Sequence, residues 1–532
     1  MFLSKKFSAI KSSFLIFFLS LFYTLLYNQT FYQKVLEIYP FGFSNIIFLL
    51  ALTLVTIGLL NILLALVCYR ITIKPVLILL TLICASSAYF IDTYKVIVDE
   101  SMIDNIFKTD LAEVADLMTM KFVLYMLLLG LLPAFVIYKT PIKFTSFRQA
   151  VIEKSKLFGF SLVIIIISLL IQGSYFASFF REHKTIRFYS NPTYVIYSLG
   201  KYAAKFYHTE STAYQQIGKD VVQITHSTPH KIMILVIGET ARADHFSLNG
   251  YDRLTNPQLQ MQDIINFDNV WSCGTSTATS VPCMFSFSTR DNYQAAKALN
   301  TDNILDVLNR AGIDIYWLDN NSDSKGVADR VHYENFKTRD NNPICNPECR
   351  DEGMLSRVNE LLASQTDKDM LIVLHQMGNH GPAYYKRYPK SFEKFTPLCE
   401  TNQLDQCSQE SIINAYDNAL LYTDYFLHKS IVLLKQYSAN FQTALLYVSD
   451  HGESLGENNI YLHGLPYFIA PDAQKHVPML MWFSPNFAVQ LDKIINQRHG
   501  QLSHDNLVHT LLGIFDVNTA LYQEELDITH EN

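Results

Sequence analysis

Charged residues are missing from five long apolar stretches in the first third of this 532-residue chain. The stretches cover residues 13–26, 44–69, 75–91, 122–138 and 157–180. Several are close to the length of about 20 residues that an α-helix needs to cross a bilayer. A single stretch of this kind can be a buried helix of a soluble protein, but five in succession exclude that explanation. We therefore predict a transmembrane domain of five helices over residues 1–180.

A cleavage site for signal peptidase is also missing near the start of the chain. Lys5, Lys6 and Lys11 precede the first apolar stretch, as basic residues precede the apolar part of a signal peptide. The residues that follow the stretch, 27–30, have no small-residue cleavage pattern. We therefore expect an uncleaved membrane anchor.

Basic residues are unevenly distributed among the connections between the apolar stretches. They lie before the first stretch, between the second and third, and between the fourth and fifth, whereas residues 92–121 are rich in Asp and Glu. Basic connections stay in the cytoplasm. We therefore expect a cytoplasmic N-terminus, with the whole chain after residue 180 exported.

Cysteine is used differently in the two parts of the chain. Cys68 and Cys84 lie inside apolar stretches, where they are expected to be packing residues. The other six form close pairs in the exported part: Cys273 with Cys283, Cys345 with Cys349, and Cys399 with Cys407. Six cysteines can also hold a metal cluster, but polar loops in an oxidising compartment favour three local disulfides.

Two further segments precede the exported domain. Residues 102–118 have apolar side chains at helical spacing and charged side chains on the opposite side. This predicts an amphipathic helix that either lies in the outer headgroup layer or packs under the exported domain. Residues 181–230 form a polar and aromatic connector with a predicted helix over 193–207. We find no internal repeat or low-complexity tract.

The pattern changes at residue 231, where continuous apolar runs begin. Such runs cover residues 232–237, 313–318, 370–374 and 444–448, and helical patterns such as 415–434 lie between them. A continuous run is typical of a parallel strand covered on both faces. Strands that alternate with helices predict an α/β domain with a mostly parallel sheet over residues 231–532.

Polar side chains follow each of these runs, at the strand ends where ligands gather in parallel sheets. In chain order they are Glu239, then Asn321 with Lys325, then His375 with His380, and finally Asp450, His451, Glu453 and His463. Each has an ordinary explanation, such as a helix cap, a structural hydrogen bond or a solvated charge. Together they predict a zinc site or a two-metal site.

The loop between Cys273 and Cys283 contains five hydroxyl side chains. A disulfide would hold it in one conformation, as a nucleophilic hydroxyl requires, although a stapled surface turn has the same composition. A metal at the strand ends would activate Thr277, because coordination stabilises the alkoxide. Thr277 is therefore the candidate nucleophile.

These motifs together resemble the phosphoethanolamine transferases of the alkaline phosphatase-like superfamily. The resemblance rests on the strand end at Glu239, the loop 273–283, and the segments 375–385, 450–454 and 461–464. It is most specific for the group that modifies lipid A in lipopolysaccharide, which includes the transferable colistin-resistance enzymes. It implies a zinc-dependent enzyme in the inner membrane of a two-membrane bacterium, with a periplasmic catalytic domain.

The implied reaction has two halves. Thr277 attacks the phosphate of phosphatidylethanolamine, releases diacylglycerol and carries the phosphoethanolamine group, which a lipid A phosphate then takes. By motif, the zinc ligands are Glu239, Thr277, Asp450 and His451. His380 and His463 match histidines that hold a second metal or the substrate phosphate, Lys325 matches a lysine near that phosphate, and Thr275, Asn321 and Glu453 match the headgroup pocket more weakly. One tightly bound zinc ion is expected, with room for a second. We expect a monomer, with no nucleic acid among its partners.

Several related activities remain as alternatives. A sulfatase would share the fold, but its Cys/Ser-x-Pro-x-Arg nucleophile pattern is missing around Thr277. A transferase that modifies core sugars or periplasmic glucans would have the same metal site, and a glycerophosphate transferase would also use threonine behind five spans. A non-enzymatic sensor is disfavoured by intact ligands at every motif. An added ethanolamine cation lowers the negative surface potential, which predicts polymyxin tolerance.

Overall fold

A computed structural model describes residues 9–109, 111–143, 146–208, 213–224, 228–346, 348–364 and 367–530. Lys5 and Lys6, which contribute to the predicted orientation, lie outside the described residues, as does residue 110 of the predicted amphipathic helix. The described residues of Met1–Ile103 and Leu117–Lys205 form one compact unit. Those of Asp104–Asp116 and Phe206–Asn532 form the other.

The first unit contains the apolar helices. Among the described residues, four helices are long and apolar enough to cross a membrane: Ile46–Val67, Ile73–Tyr94, Met120–Lys139 and Phe147–Ile171. The helices Ser12–Leu26 and Gln29–Ile38 are bent by 60° relative to each other and give a fifth candidate if they form one span. The unit also contains the helix Gly173–Glu182, the helix Thr193–His208 as far as Lys205, and a short pairing of Ile10–Lys11 with Ile142–Lys143.

The last apolar stretch differs from its prediction as one span. Residues 157–180 fall in two helices, because the first ends at Ile171 and the second begins at Gly173. The break falls at Gln172, whose φ of −119° and ψ of 26° are not helical. The span therefore ends before residue 180, and it begins earlier, at Phe147, with a polar first section.

The predicted amphipathic segment contains two helices, Glu100–Lys108 and Leu111–Leu117. Its residues Asp104–Asp116 belong to the second unit. The carboxylate of Asp116 is paired there with Lys386 at 2.5 Å and with Arg387 at 2.9 Å. The Arg387 side chain is 5% exposed. This part of the segment is thus packed against the rest of the second unit.

An eight-stranded sheet forms the centre of the second unit. Its strands are β1 (Lys231–Gly238), β2 (Ile264–Trp271), β3 (Asp314–Asp319), β4 (His332–Asn335), β5 (Met370–His375), β6 (Gln442–Ser449), β7 (His476–Phe483) and β8 (Leu502–Ser503). The order is β8-β2-β7-β6-β1-β5-β3-β4, and β7 runs antiparallel to both neighbours. The other pairings are parallel. The predicted mostly parallel sheet is confirmed.

Both faces of the sheet are covered, which explains the continuous apolar runs. Alternate residues of β1 point to opposite faces: Met233 belongs to one apolar cluster and Ile234 to the other. The long helix Gln409–Tyr437 packs on the second of these faces. The other described helices of this unit are Thr277–Met284, Ala295–Leu299, Ile304–Arg310, Met354–Ser364, Leu491–Asn496 and Asp505–Ile514. Two small antiparallel pairs join Ser454–Leu455 to Tyr461–Leu462 and Val222–Gln223 to Val517–Asn518.

Candidate active site

The carboxyl ends of β1 and β6 form the base of the candidate site. Gly238 of β1 lies beside Ser449 of β6 in parallel register, so the residues that follow these two positions emerge side by side. Glu239, Asp450 and His451 are buried, and one ligand atom from each lies within 4.8 Å of the others. The structure thus brings together three of the side chains selected from the sequence.

Thr277 completes this cluster from a different element. It is the first residue of the helix Thr277–Met284. Its Oγ1 atom is 3.1 Å from Glu239 Oε2 and 3.3 Å from His451 Nε2. A hydroxyl, an imidazole and carboxylates therefore face one point, which the sequence predicted.

The donor set fits a zinc ion. Nitrogen and oxygen ligands from His, Asp and Glu are common for Zn²⁺. Asp450 Oδ1 accepts from the backbone N–H groups of Thr240 and His451, whereas the buried Oδ2 atom has no hydrogen-bond donor among the described residues. A buried carboxylate oxygen without a donor is costly. A cation at this point would satisfy it.

The ionisation of the cluster favours metal binding as well. Burial lowers the pKa of His451 to about 3, with the neighbouring His463 adding to the effect, so its ring is neutral and Nε2 can donate a lone pair. Burial and the charge of Glu239 raise the pKa of Asp450 well above its ordinary value. Two carboxylates this close repel each other when both are charged. A divalent cation would remove that repulsion.

Two further histidines lie next to the cluster. The rings of His451 and His463 have centroids 4.4 Å apart, and those of His463 and His380 are 5.8 Å apart. His463 Nδ1 is 3.0 Å from Oε1 of the buried Glu453. Burial acts to lower the pKa of His463, but the Glu453 carboxylate outweighs it and raises the pKa. This histidine can therefore hold a proton.

Asn321 contacts one of the candidate metal ligands directly. Its Nδ2 donates to Glu239 Oε2 and to the carbonyl of Gln376, both at 2.7 Å. It thereby fixes the orientation of the Glu239 carboxylate. The motif match suggested the headgroup pocket, and the structure adds this contact with a candidate ligand.

Thr275 and Lys325 have backbone partners. The hydroxyl of Thr275 donates to the carbonyl of Leu465 at 2.6 Å, which ties the Thr277 loop to the loop that carries His463. The ammonium of Lys325 donates to the carbonyl of Lys108 at 3.3 Å, at the end of the helix Glu100–Lys108, and to that of Ser322. The structure therefore places Lys325 beside the amphipathic segment.

Gly378 was missed in the sequence although it shapes the site. Its φ of +48° lies in the left-handed region, and a Cβ atom here would be 2.9 Å from the carbonyl oxygen of Glu239. The next residue, Asn379, donates its N–H to that carbonyl at 3.0 Å. Only glycine permits this close approach. A Gly inside a polar strand-end loop is the signal that could have identified it.

The three predicted disulfides are confirmed. Cys273 is bonded to Cys283, and the other two bonds join Cys345 to Cys349 and Cys399 to Cys407. The first encloses the loop that carries Thr277. Cys68 and Cys84 are buried free thiols.

We expect removal of the Cys273–Cys283 bond, by serine at both positions, to lower stability by about 2 to 3 kcal/mol, because the unfolded chain gains freedom. It should also slow transfer, since Thr277 lies inside the closed loop. The matched control is the serine pair at Cys399 and Cys407, whose sequence separation of 8 is close to the 10 of the first pair. Melting temperature and transfer rate of the purified proteins are the measurements. Equal transfer rates in the two serine pairs would contradict a role for the first bond in placing the nucleophile.

The chain matches two known families. Residues 231–517 match the sulfatase family, and residues 56–207 match the family described as phosphoethanolamine transferase EptA/EptB. The chain is 44% identical over 510 residues to phosphatidylethanolamine transferase Mcr-2 of Escherichia coli, with 93% of each chain covered. It is 39% identical over 514 residues to phosphoethanolamine transferase EptA of E. coli K12, with 94% of this chain and 93% of the other covered.

A solved structure extends the similarity to the whole fold. The integral membrane protein lipooligosaccharide phosphoethanolamine transferase A (EptA) from Neisseria meningitidis matches with a TM-score of 0.93 at 36% identity. The match covers 98% of this chain and 99% of that chain.

Proposed function

Since this chain belongs to the EptA/EptB family of phosphoethanolamine transferases, we propose that it moves phosphoethanolamine from phosphatidylethanolamine to a phosphate of lipid A. The names of two relatives state parts of this reaction: phosphatidylethanolamine transferase for Mcr-2, and lipooligosaccharide phosphoethanolamine transferase for the N. meningitidis protein. The proposal adds a zinc ion, a covalent intermediate and a consequence for polymyxin tolerance.

The observation that carries the proposal is the position of the Thr277 hydroxyl. It lies 3.1 Å from a carboxylate oxygen of Glu239 and 3.3 Å from Nε2 of His451, at the point where ligands converge. Zinc bound by these residues and Asp450 would favour the alkoxide form of Thr277 and polarise a phosphoryl oxygen. Asn321 keeps the Glu239 carboxylate in its orientation.

The chemistry consists of two displacements at phosphorus. In the first, Thr277 Oγ1 releases its proton to water and forms a bond to the phosphorus of phosphatidylethanolamine while the bond to the diacylglycerol oxygen breaks. The leaving oxygen takes up a proton, and diacylglycerol departs. In the second, an oxygen of the lipid A phosphate attacks the same phosphorus and the bond to Thr277 Oγ1 breaks. Oγ1 then takes up a proton from water, which restores the free hydroxyl.

His463 is the group best suited to supply that proton. The Glu453 carboxylate at 3.0 Å favours its charged form, and its ring lies next to that of His451. With His380 it would bind the phosphate oxygens; in the alternative in which the two histidines hold a second zinc ion, His463 would be a ligand and could not supply the proton. Lys325 would add positive charge from the loop beside the amphipathic segment.

The location follows from the apolar helices. Helices of the first unit that are long enough to cross a membrane would hold the chain in the inner membrane. The catalytic domain would lie in the periplasm, where disulfides form and where both lipid substrates are reached. The working form would be a monomer.

Expression in a polymyxin-susceptible bacterium tests the whole proposal. We expect the lipid A mass to increase by one phosphoethanolamine group and polymyxin tolerance to rise, because the added cation lowers the negative surface potential. Mass spectrometry of extracted lipid A and the inhibitory concentration of polymyxin are the measurements. The control is the Thr277→Ala protein at equal expression.

Two results would contradict the proposed transfer, the first for its acceptor and the second for its donor. Phosphoethanolamine on core sugars or periplasmic glucans, with unmodified lipid A, would indicate the sister activity with the same metal site. A glycerophosphate product would indicate a different donor.

A further inference from the structure

His504 lies between the loop that carries Thr277 and the strand end that carries Asp450. It follows β8 and precedes the helix Asp505–Ile514, and it is 2% exposed. Its backbone N–H donates to the carbonyl of Trp271 at 3.0 Å, in continuation of the pairing between β8 and β2. The sheet therefore fixes the position of the His504 backbone, from which the imidazole extends.

The two ring nitrogens of His504 contact two different elements. Nδ1 is 3.0 Å from the backbone nitrogen of Cys273, the first residue of the disulfide-closed loop. Nε2 is 2.9 Å from the carbonyl oxygen of Ser449, the last residue of β6. Because a backbone N–H only donates and a carbonyl only accepts, these partners require the neutral ring with its proton on Nε2. Burial supports this form, since it lowers the pKa of His504 to about 4.

Ser280 makes a second connection between the same elements. It lies in the helix that begins at Thr277, and its hydroxyl donates to the carbonyl of Asp450 at 2.5 Å. The same hydroxyl is 3.3 Å from Nδ1 of His504. The loop is thus attached to the end of β6 on both sides of the nucleophile.

We propose that His504 is a positioning residue of the transfer reaction. It holds Cys273 against Ser449 and so determines where the Thr277 hydroxyl lies relative to the ligands at the end of β6. The inference rests on the proposed function, because it assumes that Thr277 attacks phosphorus.

The larger effect of losing the imidazole should fall on the nucleophile. Glu239 and Asp450 directly follow strands whose ladders do not involve His504. Zinc content and the KM for the donor should therefore stay unchanged, whereas the rate of attack by Thr277 should fall. A displacement of about 1 Å at a reacting atom can cost on the order of 100-fold in rate.

Three substitutions separate the two contacts. His504→Asn keeps an acceptor near the Nδ1 position for the N–H of Cys273, but it has no N–H that reaches the carbonyl of Ser449. His504→Gln can still donate an N–H to the carbonyl of Ser449, but it has no acceptor at the Nδ1 position for the N–H of Cys273. His504→Leu removes both contacts. In the full-length protein with zinc and phosphatidylethanolamine vesicles, we expect adduct formation on Thr277 to slow about 10-fold in the first two and about 100-fold in the third.

His509, in the helix that directly follows His504, provides a matched control. It is also 2% exposed, and its Nδ1 accepts a backbone N–H, that of Gln523, at 3.1 Å. Its ring neighbours are Phe287 and Tyr522 rather than the nucleophile loop. His509→Asn and His509→Gln should lower the melting temperature as much as the His504 variants do, with wild-type rates of adduct formation.

The outcomes distinguish this inference from the function on which it rests. A wild-type adduct rate in folded His504→Leu, or a raised donor KM with an unchanged rate, would overturn the inference alone. Loss of folding in both His504→Asn and His504→Gln would overturn it too, since the imidazole would then serve stability. No adduct on the wild-type protein would overturn the proposed function and the inference with it.

Discussion

The Thr277→Ala protein is expected to fold, to bind zinc and to transfer no phosphoethanolamine. Glu239, Asp450 and His451 remain in place without the hydroxyl, and the substitution removes no large core side chain. Loss of a nucleophile removes the covalent route altogether, so transfer should fall by about 10⁴-fold or more. Intact-protein mass spectrometry after incubation with phosphatidylethanolamine measures the adduct directly.

Two companion variants make that result specific. Thr277→Ser keeps a hydroxyl at the same position and should form the adduct at a reduced rate. Thr279→Ala removes a hydroxyl from the same loop and should behave as wild type. Transfer by Thr277→Ala at the wild-type rate would show that another group attacks phosphorus.

Substitution of Asp450 by Asn should produce the second largest loss. The Asn side chain can keep the Oδ1 contacts with the N–H groups of Thr240 and His451, so the fold is preserved. Its amide nitrogen replaces the Oδ2 atom that has no donor, and an amide N–H₂ cannot bind a cation. Outer-shell changes alone cost about 10- to 100-fold in metal affinity, so we expect at least about 100-fold here, with a matching loss of transfer.

A buried carboxylate elsewhere in the same unit gives the control. Asp424 lies in the helix Gln409–Tyr437, accepts the N–H groups of Gln258 and Leu259, and has its pKa raised to about 7 by burial. Asp424→Asn should keep wild-type zinc content and activity. The measurements are zinc per protein by elemental analysis and the zinc concentration that restores activity after chelation. Full zinc binding by Asp450→Asn would show that Asp450 is not a zinc ligand.

The sequence predicted the central strands because burial on both faces leaves a continuous apolar run. β1, β3, β5 and β6 follow the predicted runs closely. β2 is only half-buried and has polar residues such as Asn266 within it, so no continuous run marks it. β7 contains Pro478 and a register shift at that point, which interrupt the usual strand pattern. These two strands were therefore not predicted.

The cluster of candidate metal ligands could be predicted for a related reason. Parallel strands end at one edge, so the residues after β1 and β6 had to emerge together. The contacts that orient the cluster follow no such rule. Asn321 reaches Glu239 across 82 positions of sequence, and His504 reaches Cys273 across 231. They depend on the path of individual loops, which composition and periodicity do not encode.

The pairing of Asp116 with Arg387 affects which truncated form of the protein keeps the contacts of the catalytic domain. A fragment that starts at Phe206 lacks the segment Asp104–Asp116, although that segment belongs to the same compact unit. Arg387 then loses one of its carboxylate partners while its Nε still donates to the carbonyl of His380 at 2.7 Å. In a truncated protein, the Arg387 side chain that donates to the carbonyl of His380 would therefore lack its contact with Asp116, and the position of His380 could change. Full-length protein is the appropriate material for measuring how the phosphate is bound.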